Sequence, residues 1–184
     1  MKLSVKDMMI TALFTALMVA GAFIRIPFPL LPITLQAFIS ALAGLIIGSK
    51  LGALSITLYM ALGLIGLPVF ASGGGISYIF SPSFGFIPGF IAGAFVIGLL
   101  SKKLGKQNQW NSFKSLMTGL LVIYTIGILY MFLILRLYLG NTEARLILLA
   151  IANLPYIIKD IILLSAAAFI VPSILPRIRR SITQ

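Results

Sequence analysis

Asn153, Tyr156 and Asp160 form the strongest candidate site in the sequence. They are three and four residues apart, so a helix places an amide, a phenol and a carboxyl group on one face. The surrounding run is otherwise largely apolar, and a carboxylate in such a setting is costly unless it is paired or used. This face therefore predicts contact with a small polar ligand.

Lys159, next to Asp160, supports a competing interpretation. A pair between Asp160 and Lys159, or between Asp160 and an arginine, could hold helices together without touching a ligand. Successive helical residues project about 100° apart, so Lys159 is not expected to be the simple lateral partner of Asp160. Ligand contact is the favoured interpretation, and structural pairing is the alternative.

A glycine-rich segment offers a second candidate surface. Ser72–Gly75 is followed by aromatic residues that include Tyr78 and Phe84. Glycine lets the backbone approach a ligand closely, and free N–H groups can bind a carbonyl or carboxylate. The segment is either a ligand-lining loop or a flexible surface turn, and its residues alone favour neither.

Thr34 and Gln36 follow a proline-rich connection at residues 27–32. Their side chains either extend a polar pocket or cap the start of a helix. The prolines stiffen the connection, and its apolar residues could cover an oily cavity as a lid.

Two residue types that most often carry chemistry are absent from the chain. It contains no cysteine and no histidine, which excludes thiolate nucleophiles, zinc–thiolate sites and the usual general base. No phosphate-binding loop of an ATPase is present either. These absences predict a protein without catalysis, metal or cofactor, whose coupling to ATP would come from partners.

The composition predicts an all-α membrane protein. Of 184 residues, 60% are hydrophobic and 9% are charged, and the mean hydropathy is +1.15. So few charges cannot coat a water-soluble surface of this size. The apolar runs predict one integral-membrane domain, residues 1–184, with six spans at about 8–24, 33–48, 51–66, 84–100, 115–138 and 146–171.

The basic residues predict the orientation of the chain. The net charge of +11 is concentrated at the ends of the apolar runs, where cytoplasmic loops carry excess lysine and arginine. With both termini cytoplasmic, only Arg25, Arg136 and Arg145 lie outside. The ten inner residues are Lys2, Lys6, Lys50, Lys102, Lys103, Lys106, Lys114, Arg177, Arg179 and Arg180.

Ala12, Ala16 and Ala20 repeat every four residues in the first span. Small residues at this spacing let a neighbouring helix approach closely. The neighbour is either another helix of this chain or another subunit, and the pattern does not choose between them.

Several stretches together resemble the BioY family, the biotin-specific S components of energy-coupling factor (ECF) importers. The resemblance covers most of the chain and is densest from residue 25 to residue 98. The matching stretches are Leu31–Gln36, Ala43–Ala53, Gly63–Phe70, the glycine run and Ser81–Phe86.

The resemblance implies a six-helix S-component bundle in a prokaryotic plasma membrane, with high-affinity biotin binding under the outer loops. It implies an EcfT-type transmembrane coupling protein and two cytoplasmic ATPases as partners, docked through Ala12, Ala16 and Ala20. A vitamin other than biotin, or a stand-alone secondary transporter, is the alternative. The predicted biotin-binding residues are Thr34, Gln36, Ser72, Gly73, Gly74, Gly75, Tyr78, Phe84, Asn153, Tyr156 and Asp160.

One position departs from the family pattern. Many members carry a lysine three residues after the aspartate that matches Asp160, and this chain has Leu163 there. Asp160 therefore carries over and the lysine does not. Whether Lys159 reaches round to replace it is left open by the sequence.

Overall fold

The computed structural model describes residues 3–28, 31–105 and 108–183, with side chains described as far as residue 174. Lys2 and Lys106 of the charge count lie outside this part of the chain, as do the side chains of Arg177, Arg179 and Arg180. The elements are α1 (Val5–Phe23), β1 (Arg25–Ile26), β2 (Ile33–Thr34), α2 (Gln36–Leu64), a 3₁₀ helix (Ile76–Phe80), α3 (Phe86–Lys103), α4 (Gln109–Leu133), a π-helical segment (Ile134–Tyr138), α5 (Leu146–Ala152) and α6 (Leu154–Thr183).

The predicted all-α membrane class is confirmed. Within the described residues, five helices are long and apolar enough to cross a membrane. Four of them are α1, α2, α3 and α4 with its π-helical extension, and the fifth is residues 154–174 of α6. The two predicted runs at 33–48 and 51–66 correspond to the single helix α2, which is two or three residues shorter at each end.

α2 is a helical hairpin, because its backbone reverses at Gly48. This residue has φ 85° and ψ 176°, a conformation that glycine adopts without steric cost. Gln36 Nε2 lies 2.8 Å from the Tyr59 hydroxyl, although 23 residues of straight helix would separate them by roughly 34 Å. At Gly52 a Cβ atom would lie 3.0 Å from the Ala43 carbonyl carbon, so the two arms touch backbone to backbone.

α3 lies between α2 and α4 and packs closely on both. Gly44 of α2 faces the backbone of Ala94, and Gly98 of α3 faces the backbone of Ser49 at the reversal of α2. Lipid provides no hydrophobic force between helices. Van der Waals packing at such small-residue contacts therefore stabilises the association of these helices.

The predicted sixth span is split in two at Asn153. Pro155 has no N–H to donate to the carbonyl of Ile151, which interrupts the helical ladder. α5 therefore ends at Ala152, and α6 begins at Leu154. The break places Asn153 in the core, with no exposed surface.

The long connections meet at one end of the bundle. β1 and β2 pair antiparallel across the proline-rich connection, with Arg25 opposite Thr34. The Tyr130 hydroxyl donates to the Ile79 carbonyl at 2.5 Å, and Phe80 stacks on Tyr138. The reversal of α2 and the end of α3 lie at the opposite end.

Candidate functional site

Asp160 of α6 is the centre of a buried polar cluster. Asp160 is only 1% exposed. The Tyr124 hydroxyl of α4 donates to Asp160 Oδ2 at 2.7 Å, and Lys159 Nζ lies 2.7 Å from Oδ1. The charge is thus neutralised in an apolar setting where a lone carboxylate would be costly.

The expectation that Lys159 cannot be the lateral partner of Asp160 is wrong. The backbone directions do diverge, but the long lysine side chain curls back over the helix and forms the ion pair. Lys159 Nζ also donates to the carbonyl of Thr34 at 2.5 Å. Lys159 therefore links α6 to β2.

Asn153 and Tyr156 share the buried face of Asp160, as their spacing predicted. Asn153 Nδ2 donates to the Leu149 carbonyl at 2.8 Å, while Oδ1 has no hydrogen-bond partner. The Tyr156 hydroxyl accepts from Leu31 N at 2.9 Å and donates to the Leu31 carbonyl at 2.5 Å. Tyr156 thus fastens the proline-rich connection to α6.

Thr34 and Gln36 lie on the other side of the same space. Gln36 is buried, and its Nε2 donates to Tyr59 OH, which in turn donates to the Val69 carbonyl at 3.1 Å. Thr34 Oγ1 is 3.3 Å from Gln36 Oε1 and accepts a long 3.4 Å bond from Gln36 N. Thr34 Oγ1 thus accepts from a backbone N–H at the start of α2, and both residues also line the cavity.

These residues surround one cavity beneath the connections. It contains about 640 Å³ of unfilled space, a volume that includes the open solvent at its mouth. Helices α2, α3, α4 and α6 and both connections contribute to its wall. The lining residues are Leu31, Pro32, Thr34, Gln36, Ala37, Tyr59, Phe70, Ala71, Tyr78, Ser83, Phe86, Ile87, Phe90, Ile123, Tyr124, Asn153, Tyr156, Lys159 and Asp160.

Aromatic side chains form much of the apolar wall. Phe70 packs on Tyr59 and Tyr78, with ring centroids 5.4 and 4.6 Å apart. Phe86 meets the Tyr124 ring edge-on at 5.8 Å. A flat, partly apolar ligand would therefore find ring faces and edges on one side and the Asp160 cluster on another.

The remaining predicted contacts lie outside the cavity lining. Gly73 N donates to the Phe70 carbonyl at 3.2 Å and Gly75 N donates to the Gly63 carbonyl at 2.7 Å, so neither N–H is free for a ligand. Ser72 is exposed, and Phe84 packs on Tyr78 and Tyr130. Ser72, Gly73, Gly74, Gly75 and Phe84 are not among the lining residues.

The chemistry of the cluster suits binding by hydrogen bonds. The part of the chain that the structure describes contains no group of three or more metal-ligating His, Cys, Asp or Glu residues. The cavity offers carboxylate and amide oxygens as acceptors and phenols and an ammonium group as donors.

The model of the BioY family matches residues 1–180. The chain belongs to the BioY family. The resemblance predicted from the sequence motifs is therefore confirmed.

Relatives of this BioY-family chain match over most of their length. The biotin transporter BioY of Thermotoga maritima is 38% identical over 159 residues, covering 86% of this chain and 89% of its own. The probable biotin transporter BioY of Lysinibacillus sphaericus is 34% identical over 167 residues, covering 91% and 85%. A chain of this family with several long apolar helices is a multi-pass cell membrane protein.

The fold of the BioY-family chain matches a solved transporter subunit. The crystal structure of the S component for biotin from an ECF-type ABC transporter superposes with a TM-score of 0.69 at 28% identity. The match covers 96% of this chain and 92% of the other. The relatives and the fold are thus those of transporters.

Sequence reasoning missed three polar residues of the BioY-family cavity. Tyr59 and Tyr124 lie on α2 and α4, and Lys159 lies on α6, where its backbone direction predicts a side chain pointing away from Asp160. A phenol within an apolar span was the available signal for both tyrosines, because a buried hydroxyl needs a partner.

Proposed function

We propose that the chain is the biotin-binding S component of an ECF-type ATP-driven importer. It captures biotin with high affinity at the outer face and passes it on with a coupling protein and two ATPases. The observation that carries the proposal is the buried Asp160 carboxylate, ion-paired and hydrogen-bonded in the wall of the cavity.

Biotin matches this cavity chemically. Its ureido group donates two N–H bonds, for which Asp160 and the unpartnered Asn153 Oδ1 are acceptors at the cavity wall. Its thioether bicycle is apolar and fits against Phe70 and Phe86. Polar groups built to meet the ureido group would be left unpaired by a ligand that lacks it, which gives selectivity.

The predicted binding residues that remain ligand contacts in this proposal are Thr34, Gln36, Tyr78, Asn153, Tyr156 and Asp160. The other predicted residues act indirectly, by shaping the loop and the aromatic wall. They are Ser72, Gly73, Gly74, Gly75 and Phe84. Tyr59, Tyr124 and Lys159 join the site, since they line the same cavity.

We further propose that the single domain, residues 1–184, crosses the membrane six times with both termini in the cytoplasm. The reversal of α2 at Gly48 supports two crossings by that helix. Lys50, Lys102 and Lys103 then lie on the cytoplasmic side with the other inner basic residues, and the cavity opens outward.

Calorimetry of the purified chain tests the proposed ligand. Biotin is expected to bind tightly, and desthiobiotin more weakly because it buries less apolar surface while keeping the ureido group. Riboflavin is expected to release no binding heat. Riboflavin binding as tightly as biotin, or no heat with biotin, would contradict the proposal.

Ala12, Ala16 and Ala20 support docking of α1 to the coupling protein. All three are exposed, while Thr11, Phe14, Thr15 and Met18 on the other face of α1 are buried. The stripe of alanines is thus turned away from the rest of the chain and is available to another helix.

Replacing Ala16 by tryptophan is expected to prevent copurification with the coupling protein and leave biotin affinity unchanged. The bulky ring keeps a partner helix from close approach. Ala166→Trp, at an exposed position of α6, is the matched control and should copurify normally. Normal assembly of the Ala16 variant would show that this face is not the docking surface.

A further inference from the structure

The cavity has no spare positive charge for an acidic ligand. Among the described residues that line it, Lys159 is the only cation, and its ammonium group is held by Asp160 Oδ1 and the Thr34 carbonyl. Three residues after Asp160, the chain has the uncharged Leu163. The terminal carboxylate of biotin therefore needs another partner, and this inference rests on the proposed function.

Arg25 lies at the rim of the cavity. It pairs with Thr34 across the two-stranded ribbon, and directly opposed residues of an antiparallel pair project their side chains to the same face. Its Nη1 donates to the carbonyl of Ala71 in the glycine-rich connection. Thr34 and Ala71 both line the cavity, so the guanidinium group spans the gap between the two connections.

The Arg25 side chain has capacity left for a ligand. A guanidinium group carries five N–H donors in a planar fork that matches a carboxylate, and the Ala71 carbonyl occupies only part of it. Arg25 is exposed, so it can meet a charged group without the full cost of burial.

The other arginines predicted on the outer face lie elsewhere. Arg136 Nη1 donates to the Ala144 carbonyl at 3.3 Å, and its guanidinium lies over the Phe132 ring. Arg145 precedes α5 and is exposed. None of the three arginines is itself a lining residue, but Arg25 donates to Ala71 of the cavity wall, whereas Arg136 donates to Ala144, which is not part of that wall.

We propose that Arg25 binds the terminal carboxylate of the ligand at the mouth of the cavity. The apolar bicycle and ureido group then occupy the interior, and the flexible acid tail leads outward to the guanidinium group. Arg25 makes the site select free acids over amides.

Biotin and biotinamide, which differ only in the charge and hydrogen bonding of the tail, provide the test. Calorimetry is run on the natural chain, Arg25→Gln, Arg25→Lys and the control Arg136→Gln. The natural chain and the control should prefer biotin about fivefold to tenfold. Arg25→Gln should lose this preference without weakening biotinamide binding, Arg25→Lys should keep part of it, and high salt should reduce it.

Three results are decisive against the assignment. A full preference for biotin in Arg25→Gln shows that another group binds the tail. Equal weakening of both ligands shows that Arg25 only ties the two connections together through Ala71. Tight binding of both ligands by the natural chain, without a preference for biotin, shows that the acid tail has no charged partner. If the natural chain binds neither ligand, the proposed function itself fails.

Discussion

Replacing Asp160 by alanine is expected to weaken biotin binding at least a hundredfold, more than any other single change in the cavity. In the proposed site the carboxylate is the charged acceptor for the ureido N–H groups, and hydrogen bonds to charged groups contribute about 1.5–3 kcal/mol each. Without it, the ureido donors would enter a buried space and find no charged partner. Titration calorimetry of the purified variant measures the loss.

The surroundings of Asp160 explain why the effect is so large. Tyr124 and Lys159 hold the two carboxylate oxygens at 2.7 Å each, so the acceptor is fixed before the ligand arrives. A ligand meeting a prearranged acceptor loses little to reorganisation of the site.

Loss of folding must be separated from loss of binding. Breaking a buried ion pair by removing one partner costs about 3–5 kcal/mol. Thermal unfolding of each variant is therefore measured beside its affinity. Asp160→Asn keeps the shape and one acceptor oxygen, and should bind with intermediate affinity.

Lys159→Ala is the matched comparison. It also breaks the ion pair, but it leaves the Asp160 carboxylate and its hydrogen bond from Tyr124 in place. Its effect on affinity should be about tenfold, well below that of Asp160→Ala. Equal and small losses in both variants would mean that the pair serves only to join α6 to its neighbours.

The sequence was sufficient where local geometry decides the outcome. The spacing of Asn153, Tyr156 and Asp160 fixes their common face, because a helix has the same periodicity wherever it packs. All three are buried and line the cavity. The apolar runs likewise predicted where the long helices lie, within a few residues at most ends.

The sequence was insufficient where flexible side chains and distant segments decide. The backbone direction of Lys159 did not predict the position of an ammonium group on a long mobile chain. The residues of the glycine run leave open whether its N–H groups are free for a ligand, and in the structure Gly75 N donates to the carbonyl of Gly63, near the end of α2. Tyr124 reaches Asp160 across 36 residues, and no local pattern pairs them.

Asn153→Leu is expected to lower biotin affinity about tenfold to a hundredfold while leaving the unliganded protein nearly as stable as before. Asn153 has no exposed surface, and its Oδ1 is a buried acceptor without a hydrogen bond. An unsatisfied buried oxygen costs about 1–3 kcal/mol, so removing it offsets the loss of the Nδ2 bond to Leu149.

In the proposed site, a donor of the ligand supplies the hydrogen bond that this oxygen lacks. Thr11 provides the control, since its hydroxyl is also buried without a hydrogen bond but does not line the cavity. Thr11→Val should leave biotin affinity unchanged. Affinity is measured by calorimetry, and stability by thermal unfolding without ligand. If Asn153→Leu binds biotin normally, the oxygen is not a ligand contact. If instead the unliganded variant is strongly destabilised, the amide serves the break between α5 and α6.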